Sequence, residues 1–323
     1  MKEYILRRLV MTVFVVISAA FLIFTIMYFI PGDPASLLLG SDATVQQIET
    51  KREAMGLNDP YLIRLGKYLS DAFLRFDLGE SWYTGIPVAS ELYNRLPRTI
   101  LLGVLCVIVS TAVALPLGIT AAVHHNKWQD HACMILAMAC VSMPDFWLAL
   151  IMVLIFSLHL GLLPSFGIGS WQCYILPVIA GSLHGIGQLA RQTRSSMLDV
   201  YRSDYVTTAQ AKGVSSEKVI YRHMLPNALI PIITVVGGQF GRCVAGTIVI
   251  EQVFSMPGVG SYLSTAISSR DYPILQGSVI VMAVFIAIIM LLVDLVYAYV
   301  DPRIKAQYVA QSKRRKRGRR NGR

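Results

Sequence analysis

Charged side chains set inside long apolar runs are the residues of this chain with the strongest chemical potential. Asp145, Arg242 and Asp294 stand in such runs, and His159 and His184 lie among apolar neighbours. A charge at bilayer depth costs about 2.5–3.5 kcal/mol on insertion scales, so such a residue either finds a partner or faces water along a substrate route. Asp145 and Arg242 are therefore candidate translocation-path residues, with structural ion pairing as the alternative. Asp294 lies about two turns before Asp301, and snorkelling or pairing at a helix end explains it. His124, His125, Asp130 and His131 crowd one short segment, but their spacing matches no ligand set and no metal site is expected. The sequence contains no G-x-x-x-x-G-K-[ST], H-E-x-x-H or G-x-S-x-G. Nucleotide hydrolysis through a P-loop of its own is excluded, and neither a catalytic residue nor a cofactor is expected.

The elements that must position these charges are membrane spans. Hydrophobic residues make up 54% of the 323 and charged residues 15%, against about 25% charged in soluble domains. Six apolar runs of roughly 18 or more residues cover 9–30, 99–123, 132–160, 173–190, 228–250 and 274–300. The expected fold class is an all-α integral membrane protein of six spans, with a helical external loop after the first. SMPDFW interrupts the third run, and Pro144 should kink or break the helix there, although the run is counted as one span. MKEYILRR before the first run resembles a signal-peptide start, but no small-residue cleavage site follows, so an uncleaved first span is expected.

Basic residues set the orientation. Lys2, Arg7 and Arg8, then Lys127, then six basic residues in 191–222, then ten from Arg303 onward fall on one side, whereas the loop 251–273 carries only Arg270. Both termini are expected in the cytoplasm. The net charge of +10 owes most to KRRKRGRR at 313–320, which reads as a tail facing anionic membrane lipid, not as a nucleic-acid site. The five cysteines, Cys106, Cys133, Cys140, Cys173 and Cys243, lack C-x-x-C spacing and read as packing residues.

This divides the chain into 1–30 (amino terminus and first span), an external loop 31–98, a five-helix core 99–300 with a cytoplasmic loop 191–227, and a basic tail 301–323. The external loop carries nine acidic and seven basic residues. TVQQIETKREAMGL and PYLIRLGKYLSDAFLRF within it have helical apolar spacing, separated by Asn58-Asp59-Pro60. They predict a small helical cap that serves either as a lid or as a contact for a substrate-delivering protein. Gly237, Gly241 and Ala245, and likewise Gly181 and Gly185, recur every four residues and predict close helix packing.

The cytoplasmic stretch DYVTTAQAKGVSSEKVIYRHMLPNA predicts two short amphipathic helices. The first is capped by Ser203 with Asp204 in its first turn, groups Tyr205, Val206 and Ala209, and stops at Gly213. The second starts after Ser215 or Ser216, carries Glu217, groups Val219, Ile220, His223 and Met224, and ends at Leu225-Pro226. Both apolar faces are expected to dock in a partner's groove.

This spacing resembles the EAA loop of ABC importer permeases, with Ala209, Gly213, Leu225 and Pro226 matching and Thr207, Thr208 and His223 departing from the pattern. TAQAKG is similar to the form of the peptide and nickel importer branch, which LRRL, PGDP, GLNDP, FDLGES, RLPRT, SMPDFW, TRSSMLDV, FSMPGVG, RDYPILQG and DPRI also resemble. The resemblance implies a transmembrane permease subunit of an ATP-driven importer. It would pair with a homologous second permease, two ABC ATPase subunits and an external substrate-binding protein. Residues 203–226 would couple it to the ATPase, with Asp204, Tyr205, Ala209, Lys212, Gly213, Glu217, His223, Leu225 and Pro226 as coupling residues. The branch takes peptides, nickel chelates and related solutes, and the short loop GLLPSFGIGSWQ is similar to nickel members, so peptide and nickel both stay open. A secondary transporter or other polytopic membrane protein is the rival reading. It would show inverted repeats with paired broken helices or a buried acid pair, and neither is evident.

Overall fold

The structure, a computed structural model, describes residues 2–300; the tail 301–323, Asp301 and the side chains of Asp294 and Ala245 lie outside the described residues. Among the described residues there is no named strand, only an isolated bridge between Glu80 and Pro87. Helix α1 (Lys2–Phe29) is followed by three shorter helices, α2 (Pro34–Leu39), α3 (Val45–Ala54) and α4 (Tyr61–Leu74). Thr44 and Gln47 cap α3 reciprocally, each side chain meeting the other's backbone N–H, so this polar helix has a fixed start.

Helix α5 (Val88–Val123) has 36 residues and extends about 54 Å, far more than the hydrocarbon needs. Residues 88–98 are thus its first turns, and a boundary at 98 falls inside a helix. Helices α6 (Trp128–Ser142) and α7 (Asp145–Met152) divide the third apolar run, and α7 continues in wider i→i+5 turns through Val153–His159. The two arms bend by 98° at Met143-Pro144, so this run is a broken segment and not a straight span. Pro144 lacks the N–H that would continue α6, which accounts for the break. Helix α8 (Ile175–Tyr201) outruns its apolar part by more than two turns. Then come α9 (Asp204–Ala211), the short α10 (Ser216–Lys218), α11 (Leu225–Val253), α12 (Val259–Ser269) and α13 (Tyr272–Val300). Among the described residues five helices are long and apolar enough to cross a membrane, or six segments if the broken pair counts as one.

Helix α8 is the hub. It runs parallel to α5, with Cys106 beside Gly181, Ser110 beside Gly185 and Thr193 beside Gly118. A methyl on Gly118 would lie 2.5 Å from Thr193 Cβ and 2.6 Å from the Ala190 carbonyl oxygen. On α11, Gly237 and Gly241 admit Val293 and Met290 of α13. Both small-residue faces therefore pack within the chain. Helix α1 lies antiparallel to α13, with Val16 and Ala20 against Ile280 and Ala287, and Met27 in a cluster with Ile274.

Candidate functional site

A cavity of about 260 Å³ opens between α5, α7, α8 and α11. Asp145 and Arg242, two of the three charges that stand in apolar runs, both line it, together with His184. The break at Pro144 puts Asp145 in the first turn of α7, where a helix N-terminus favours a carboxylate. Its floor is built by small residues: Gly181 sits against Cys106, and a methyl on Gly185 would come 3.0 Å from Ser110 Cβ and 3.2 Å from Gln239 Oε1. Gln239 crosses between helices, donating from Nε2 to the Gly185 carbonyl at 2.9 Å and lying 3.0 Å from Ser110 Oγ through Oε1. Neither Asp145 nor Arg242 makes a hydrogen bond or ion pair with another described residue, so the structural ion pair weighed as an alternative is absent among them. Among the described residues no group of three or more His, Cys, Asp or Glu is arranged to hold a metal ion.

At one end of the bundle, α9 and α10 form a hairpin folded back onto α8 and α11. Val206 and Ala209 are buried, as are Val219 and Met224, in one cluster with Met197, Ala228 and Ile232. The apolar faces expected to seek a partner's groove are thus already covered by the chain itself. Packing selects Val206 and Ala209 at i, i+3 and leaves Tyr205, one residue round the helix, 44% exposed. The free face is polar: Asp204, Tyr205, Lys212, Gly213 and Glu217 are exposed, while His223 and Leu225 are half-buried. Gly213 turns the chain at φ 74°, with its N–H on the Gln210 carbonyl at 2.9 Å and the Val214 N–H on Ala209 at 3.2 Å. Pro226 does not end a helix; wide i→i+5 turns over Val219–Met224 run straight into α11, and Pro226 lies where these wide turns meet it.

The crowded His and Asp segment turns out to be a structural clasp next to this hairpin. Asp130, buried at the start of α6, accepts from Arg194 Nε at 2.6 Å and Nη2 at 2.7 Å, and from the Asn126 N–H at 3.0 Å. His125 Nδ1 lies 3.3 Å from the same carboxylate. This ties the α5–α6 turn to α8.

The opposite end holds a group that hydropathy did not reveal. Glu251, 1% exposed, accepts from Thr99 Oγ1 at 2.7 Å and from the Ser261 N–H at 2.9 Å, and Thr99 Oγ1 in turn accepts from the Val259 N–H at 2.9 Å. Arg98 also donates to the Pro257 carbonyl at 3.1 Å. RLPRT and FSMPGVG, 155 residues apart, therefore meet on one carboxylate that fixes the first turn of α12; a methyl on Gly258 would lie 2.3 Å from Glu251 Cδ. Nearby, Arg95 is held by Glu91 at 2.9 Å and lies over the Tyr262 ring at 4.5 Å. Burial, then the Glu91 carboxylate, pushes the Tyr262 hydroxyl up to about 12. Asp271, likewise buried, accepts from Ser81 Oγ at 2.6 Å and pins the 79–87 turn to the start of α13.

A family model described as binding-protein-dependent transport system inner membrane component matches residues 114–306, and its N-terminal counterpart matches residues 1–103. The chain belongs to this family. It is a permease subunit of the ABC importer type, membrane-spanning and nearly all helical among the described residues. The permease is 40% identical over 94% of its length to the whole of the dipeptide transport system permease protein DppB of Alkalihalophilus pseudofirmus. It is 38% identical, over 94% of this chain and 99% of that one, to the glutathione transport system permease protein GsiC of Salmonella paratyphi A. Among solved structures it resembles the inward-facing MetNI methionine ABC transporter with a TM-score of 0.56 at 14% identity, over 65% of this chain and 96% of that one. That likeness supports the fold alone.

Proposed function

We propose that this permease forms half of the translocation path of an ATP-driven importer of short peptides. The observation that carries the substrate class is near-full-length likeness to permeases named for dipeptide and glutathione transport. A homologous second permease supplies the other half of the path, two ABC ATPase subunits supply hydrolysis, and an external substrate-binding protein delivers the cargo. The cavity holding Asp145 and Arg242 is this subunit's part of the route. The hairpin α9–α10 lies in the cytoplasm with both termini, in keeping with the basic residues of 191–222, and the helices of 31–98 face the binding protein.

The hairpin's polar face, Asp204, Tyr205, Lys212 and Glu217, meets the ATPase. Its apolar face locks it to α8 and α11, the two helices that also wall the cavity, so movement of the hairpin moves those walls as a rigid body. The test is uptake by the four-subunit complex in proteoliposomes with its binding protein: labelled dipeptide should accumulate only with ATP on the hairpin side. ATP-driven uptake of a nickel chelate without dipeptide uptake would overturn the peptide assignment.

A further inference from the structure

We propose that the cavity between α5, α7, α8 and α11 is a transient binding site for the two charged ends of a zwitterionic peptide, and that it adds a selectivity step inside the membrane. This rests on reading the cavity as part of the translocation path. Two observations point to a ligand. The cavity carries opposite charges, Asp145 and Arg242, neither bonded to another described residue. Second, the segment carrying Asp145 is broken by 98° at its edge, and non-helical backbone at membrane depth is tolerated where it lines protein or a watered cavity.

The chemistry follows from these groups. An ammonium donates to the Asp145 carboxylate. A carboxylate accepts from the Arg242 guanidinium, which favours paired contact with two oxygens. A volume of about 260 Å³ holds roughly nine waters or one small peptide, close to the lower bound of ligand pockets. Opposite charges that do not pair with each other favour a molecule with both charges over one with either blocked, because each blocked end leaves one charge of the cavity without its counterpart. Weak binding is what a path requires, since a tightly held cargo would not leave.

Cys243 stands next to Arg242, lines the same cavity and is only partly buried, so its thiol reports occupancy. The test is N-ethylmaleimide labelling of Cys243 in the purified complex without binding protein, quantified by peptide mapping. L-Ala-L-Ala, its N-acetyl form and its C-terminal amide serve as probes. L-Ala-L-Ala should slow labelling, with each blocked form roughly tenfold less effective, the size of one lost charge-assisted hydrogen bond. Asp145→Asn should erase the difference between the free and N-acetyl forms only, and Arg242→Gln that between the free and amide forms only, a pattern that mere misfolding does not produce. No protection in the wild type, or an unchanged ranking in both variants, overturns the site. Dipeptide uptake by the wild-type complex is measured alongside: uptake without Cys243 protection sinks this site and leaves the importer reading standing, whereas loss of both sinks both.

Discussion

Arg194 grips Asp130 with two nitrogens, at 2.6 and 2.7 Å, and so fastens the α5–α6 turn to the end of α8 from which the hairpin departs. Asp130 is 1% exposed, and its other contacts, from Asn126 and His125, come from the turn itself. A buried carboxylate left without its cation is expensive. Arg194→Met should therefore destabilise the permease by about 3–5 kcal/mol, and the double variant Asp130→Leu/Arg194→Met should recover most of the loss. Thermal unfolding of the complex in detergent distinguishes these; a single variant as stable as the wild type would remove the clasp.

Glu251 holds the first turn of α12 through the Ser261 N–H and Thr99. Glu251→Gln keeps one acceptor oxygen and sets an NH2 group against a donor, at a cost of about 1–3 kcal/mol. The loss should be local, so hydrogen exchange is expected to rise over 256–261 while α5 and α8 keep their protection. Uniform exchange across the chain would refute a local role.

Two glycines should behave oppositely. A methyl on Gly118 meets Thr193 and the Ala190 carbonyl below 3 Å, whereas Gly238 has nothing within 4 Å. Gly118→Val should separate α5 from α8 and cost about 1–3 kcal/mol. Gly238→Ala should be neutral or stabilise by up to about 1 kcal/mol, because alanine is the better helix former. Equal melting temperatures for the two variants would contradict the packing.

Run lengths and charge placement made the spans legible, and Asp145 and Arg242 stood out because charge is rare in apolar sequence. That the two share one cavity depended on the bend at Pro144, whose angle no local pattern encodes. Glu251 escaped notice because it lies one residue past an apolar run and its partners are backbone amides and a threonine 152 residues away. Helix α12 does not stand out in the sequence because VGSYLSTAISS is only 11 residues long and lies in the connection between two apolar runs. Ser203 and Gly213 mark the limits of α9, although Ser203 Oγ donates to the Val200 carbonyl instead of capping the helix, and the second element is no separate helix but runs on into α11; which face meets a partner is not legible in the sequence. Amphipathic spacing marks a face that must be covered, and only the fold shows that α8 and α11 cover it.

Gly213 is exposed, with open space around it, so a side chain there clashes with nothing, yet its φ of 74° disfavours any L residue. Gly213→Glu should strain the turn by about 1–2 kcal/mol, too little to unfold the bundle and enough to misplace α9 against α10. Membrane insertion and cavity labelling at Cys243 should stay at wild-type level; loss of either would make Gly213 a residue of global folding.

Coupling through the outward face of the hairpin is tested most directly by the ratio of peptide taken up to ATP hydrolysed in proteoliposomes bearing the whole importer, for the charge-reversed pair Asp204→Lys/Lys212→Glu. Both residues are exposed and neither touches the cavity. The expected result is an intact, inserted complex whose ratio falls by roughly fivefold or more, as for a lost coupling free energy of at least 1 kcal/mol. A wild-type ratio from this variant would contradict the coupling role of α9.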